Sequence, residues 1–92
     1  MGIDAGVRNV DELRIFARNL QDLGEKMTSL MMQAQRKMNE VSEGWQDRKT
    51  EEFKVRFDES VRQIQRMSDD FREYNAYITR LGNKVDEYKG IR

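Results

Sequence analysis

The chain has no cysteine, no histidine and no proline, and it has no net charge: 17 Lys and Arg balance 17 Asp and Glu. Each absence excludes something. Without cysteine there is no disulfide framework and no thiol chemistry. Without histidine as well, the usual general base, the usual nucleophiles and the usual transition-metal ligands are missing. Ser29, Ser42, Ser60 and Ser68 have no imidazole to activate them. The acidic neighbours Glu51-Glu52 and Asp69-Asp70 diverge by about 100° per residue on a helix, so they read as solvated faces and not as cages. There is no Gly-rich phosphate loop. The sequence therefore predicts a protein that is not an enzyme, with no cofactor and no bound metal.

The charge balance also works against nucleic acid. Arg62 and Arg66 share a helix face, but acids are interleaved among the bases, and zero net charge supplies little of the attraction to phosphate that dominates such binding. No apolar run approaches the roughly 20 residues needed to span a bilayer. The stretch Met1–Gly6 has neither a basic start nor an apolar core, so no signal peptide is expected, and Gly6 stands where an N-myristoylation signal wants Ser or Thr. These readings predict a cytoplasmic protein without a membrane span.

What is present is helix-forming and amphipathic. The 92 residues suit a single domain, and a chain so short buries only a thin core by itself. Missing proline favours long helices, since one interior proline costs about 3 kcal/mol. Stepping by three and four from Val10 gives Leu13, Ala17, Leu20, Gly24, Met27, Met31, Ala34, Met38, Val41 and Trp45. The same alternation from Phe53 gives Phe57, Ser60, Ile64, Met67, Phe71, Tyr74, Ile78, Leu81, Val85 and Tyr88. These are heptad seams. The methionines on the first seam pack adaptably. Pairs such as Asp22–Lys26, Glu52–Arg56 and Asp58–Arg62, spaced i,i+4, each add about 0.3 kcal/mol to a helix.

The seams break register between Trp45 and Phe53. The segment there holds Gly44, a poor helix former, and Asp47, a good N-cap. Asn9 with Glu12 resembles a capping box. The expected architecture is all-α: one antiparallel hairpin domain over 1–92, with helix one about 9–42, a turn at 43–47 and helix two about 47–88. Residues 1–8 and 89–92 read as frayed ends. Trp45 is expected to pack at the bend against the start of helix two, with Phe53 as a neighbour.

Beside the first seam run Phe16, Leu23 and Leu30, a ridge of about 21 Å that one partner helix cannot cover. Left in water it exposes more contiguous apolar surface than a soluble monomer usually shows. The expectation is a homodimer, with Phe16, Leu23 and Leu30 at the contact and two hairpins forming a four-helix bundle.

Helix, then Trp45-Gln46-Asp47, then a second helix with Phe53 in its first turns: this pattern resembles the WXG family of small secreted helical hairpins, the early-secreted-antigen-like proteins. Val41, four before Trp45, and Phe53, eight after it, sit where that family places apolar residues. The family has Gly two after the Trp; Asp47 stands here, and Gly44 precedes the Trp instead. Family members or their partners often end in a Tyr-x-x-x-Asp/Glu export signal. Tyr74, Tyr77 and Tyr88 are followed at the fourth place by Ile78, Leu81 and Arg92, so the signal is absent. The resemblance implies a homodimer, or a heterodimer with a related hairpin, that serves as substrate or helper of a secretion machine driven by a membrane ATPase, or as an adaptor for a larger effector. It also implies export by a route that needs no signal peptide. The alternative is a cytoplasmic coiled-coil adaptor with no export role; a nucleic-acid-binding helical dimer ranks below both.

Overall fold

The computed structural model describes the backbone of residues 3–89 and the side-chain surroundings of residues 10–88. It contains two helices, α1 (Ile3–Gly44) and α2 (Arg48–Lys89), and no strand among the described residues. Each is 42 residues long. The helices run antiparallel: Arg14 near the start of α1 reaches Asp86 near the end of α2, and Gln35 reaches Asp58 close to the bend. The hairpin is a slab of 67 × 21 × 14 Å.

The bend occupies residues 45–47, tighter than the expected 43–47, because Gly44 completes α1. The Trp45 amide still donates to the Val41 carbonyl at 3.0 Å. Asp47 then starts α2: its Oδ1 accepts the Thr50 amide at 2.7 Å, and its carbonyl accepts the Glu51 amide at 3.0 Å. A side-chain acceptor at this position satisfies one of the amides that an opening helical turn leaves without a partner. The capping box at Asn9 does not start α1, which begins earlier, at Ile3. The helical backbone also takes in much of the expected frayed start; Met1, Gly2 and residues 90–92 lie outside the described residues. Glu52, expected to pair with Arg56, pairs back to Arg48 at 3.2 Å.

The contact between the helices departs from the seams in one systematic way. On α1 the line Val10, Ala17, Gly24, Met31, Met38 faces α2 as expected, but its companion is Arg14, Gln21, Thr28, Gln35, Ser42; Ala34 and Val41 are exposed. On α2 the line Phe57, Ile64, Phe71, Ile78, Val85 is joined by Lys54, Val61, Ser68, Asn75, Gly82; Phe53, Ser60 and Tyr74 are exposed. In both helices a line one residue later than the apolar spacing indicates joins the contact, while Leu13, Leu20, Met27, Met67 and Leu81 of the expected line stay half-buried. The reason is close approach. A Cβ on Gly24 would lie 3.0 Å from the Phe71 ring and 3.1 Å from the Ser68 backbone, and one on Gly82 would run into the Arg14 guanidinium. Small residues at these crossings let the backbones come together, and the larger side chains are displaced to one side. The apolar side chains buried among the described residues are accordingly few: Val10, Ala17, Val61 and Ile78.

Candidate functional site

The rotated contact gives the slab two unlike faces. In an antiparallel pair, positions on the same side of each contact line fall on the same side of the slab. On one side the helices are tied by polar groups. The Asn75 amide donates to Gln21 Oε1 at 2.7 Å, the Gln35 amide donates to Asp58 Oδ1 at 2.9 Å, and Arg14 pairs with Asp86 at 2.7 Å. The grooves on this side are lined by Arg14, Arg18, Asn75, Thr79, Asn83 and Asp86, and, nearer mid-length, by Glu25, Thr28, Ser29, Met32, Arg36, Ser68 and Arg72. The Thr28 hydroxyl is buried there with no protein partner. The hydrogen bond and charge of Asp86, with the lesser help of Asp11, hold the Arg14 guanidinium above its ordinary pKa.

The opposite side is apolar. Near the bend, Ala34, Met38 and Val41 of α1 and Phe53 and Phe57 of α2 line a groove of about 330 Å³, with Lys37 at its rim. The rings of Phe53 and Phe57 lie 6.0 Å apart, centroid to centroid. Helical periodicity extends this face along α1 through Leu30, Met27, Leu23, Leu20, Phe16 and Leu13, and along α2 through Met67, Tyr74, Tyr77 and Leu81. Phe16, Leu23 and Leu30 are 53%, 48% and 62% exposed. Val41, Phe53, Tyr74, Tyr77 and Tyr88 are exposed on the same side, whereas Ile15, Met32 and Val55 stand singly elsewhere.

The four residues expected to make the turn motif separate into two groups. Gly44 ends α1 with open space around it, and Asp47 caps α2. Phe53 lines the bend-end groove together with Val41. Trp45 does not pack into the bend: it is 62% exposed, and its indole N–H donates to Asp47 Oδ2 at 2.8 Å. The hydrogen bond from the Thr50 amide, with that from Trp45, holds the Asp47 carboxyl below its ordinary pKa. The polar ties between the helices are absent from the apolar seams, but a signal for them exists: Arg14, Gln21, Thr28, Gln35 and Ser42 recur at seven-residue steps.

Among the described residues no group of three or more acidic residues is placed to hold a metal ion, and no helix is long and apolar enough to cross a membrane. No family profile, curated protein or solved structure matches the chain.

Proposed function

We propose that the protein works by binding other helices, not by catalysis, and that its apolar face closes against a second copy to form a four-helix bundle. The observation that carries this is the segregation of the two faces: polar groups tie the hairpin on one side, and the large exposed apolar side chains line the other. Burying one Leu or Phe contributes about 1.5–3 kcal/mol, and the face offers several per chain against the cost of association. The thin core between the helices points the same way, since a hairpin with so few buried apolar residues gains from a second layer.

The resemblance to WXG-family hairpins extends this reading to biology: a dimeric substrate, helper or adaptor of a secretion machine. Paired helices and the Trp45–Phe53 spacing support it; Asp47 in place of the family's Gly does not. The second reading is an adaptor with no export role, whose apolar face takes helices of an unrelated protein. The two part at the genome, where a neighbouring secretion ATPase or large toxin gene supports the first. The binding proposal itself is tested by mass. Light scattering at low micromolar concentration is expected to give a dimer for the wild type and a monomer for Leu23→Glu/Leu30→Glu. A wild-type monomer defeats self-association, and a dimeric double variant moves the contact to another face.

A further inference from the structure

We infer that the polar side of the hairpin carries, at mid-length, a binding site for a small organic carboxylate, seated between Arg36 and Arg72 over the Thr28 and Ser68 hydroxyls. The site lies opposite the apolar face and does not depend on a second copy of the chain.

Polar bridges cross between the helices at regular levels. Arg14, Gln21 and Gln35 of α1 reach Asp86, Asn75 and Asp58 of α2. Thr28 stands on the same seven-residue line, midway between Gln21 and Gln35, and makes no such bridge. Its hydroxyl is buried without a protein partner, which costs stability until a partner is supplied. The short side chains at this level, Thr28 and Ser68, leave a groove of about 340 Å³, at the small end of the range that holds small molecules. Donors dominate its lining. Arg36 makes no ion pair with a described residue. Arg72 gives one guanidinium N–H to Asp69 at 2.8 Å and keeps its others. Ser29 adds a further hydroxyl. The one carboxylate of the lining, on Glu25, already accepts the Gln21 amide at 3.1 Å. The group that fits is therefore an acceptor, and a planar carboxylate matches the fork of a guanidinium. Glu25 on the rim and Asp69 beside Arg72 repel a doubly charged phosphate more than a singly charged carboxylate. Met32 supplies apolar surface for a short carbon chain.

The test is a titration of the full, isotope-labelled chain with sodium butyrate at neutral pH, followed by amide chemical shifts, with sodium chloride holding the ionic strength constant. Saturable shifts confined to residues 25–36 and 68–72 are expected, at a Kd in the millimolar range that suits so small a ligand. Inorganic phosphate in place of butyrate is expected to bind about tenfold more weakly. Arg36→Gln breaks no ion pair of the fold and is expected to abolish the saturable shifts. Thr28→Val keeps the shape of the side chain and removes the buried hydroxyl; it is expected to weaken butyrate binding severalfold without lowering the melting temperature of the free protein. Shifts that do not saturate, or that spread over the whole chain, would overturn the site. So would undiminished binding in Arg36→Gln or in Thr28→Val. Tighter binding of phosphate than of butyrate would overturn the assignment to a carboxylate.

Discussion

One carboxylate of the bend serves two partners: Asp47 takes the Trp45 indole N–H on Oδ2 at 2.8 Å and the Thr50 amide on Oδ1 at 2.7 Å. The tryptophan at the bend is therefore held from outside by the residue that starts α2, and its ring stays in water.

Asp47→Ala is expected to lower the melting temperature by several degrees, because the opening turn of α2 loses its cap. Asp47→Asn retains an acceptor and should lose less. The carboxyl is held below its ordinary pKa, so its ionised form stabilises the fold. That contribution is fully present above about pH 4 and is lost as pH falls through the lowered folded-state value. An acid titration of stability should therefore flatten at its low end in Asp47→Asn. An unchanged acid limb would show that the carboxylate contributes nothing.

Trp45→Ala should change stability by no more than about 0.5 kcal/mol, as befits a side chain with 62% of its surface in water. Tryptophan fluorescence checks the same point, since the emission of the native protein should be that of a solvated indole. Blue-shifted emission in a dimeric sample, lost on dilution to monomer, would place the ring in a partner contact.

Gly24 and Gly44 should respond in opposite directions. Gly24→Leu drives a side chain into Phe71 and the Ser68 backbone, an overpacking that costs about 1–3 kcal/mol and exceeds the gain in helix propensity. Gly44→Ala meets nothing and should gain up to about 1 kcal/mol. Urea midpoints at one fixed protein concentration measure both. A stable Gly24→Leu variant would show that the helices do not approach at that crossing.

The Gln21–Asn75 bond is half-buried between the helices. Asn75→Leu alone leaves the Gln21 amide without this partner and should cost about 1–3 kcal/mol, whereas Gln21→Leu/Asn75→Leu should recover most of that loss. A double-mutant cycle reads the coupling. Strictly additive losses would show that the pair contributes no interaction of its own.

The sequence by itself determined the two helices, their approximate span and the place of the bend. No proline interrupts them, each carries an unbroken three–four alternation, and the register slips only where Gly44 and Asp47 can end one helix and cap the next. It also showed that Phe16, Leu23 and Leu30 make the apolar stripe of α1 wider than one helix can cover. What it left open was which edge of that stripe turns to α2. Heptad spacing marks an apolar sector and not its centre of contact, and Val41, Ala34 and Trp45 continue the pattern as well as any buried residue does. Tertiary packing chose the edge. Gly24, Ala17, Ser68 and Gly82 allow close approach only if the helices turn toward their small and polar side, and that turn brings Gln21 to Asn75 and Gln35 to Asp58. The same rotation carries the large apolar side chains to one flank, and Trp45, beyond the end of α1, stays exposed at the bend.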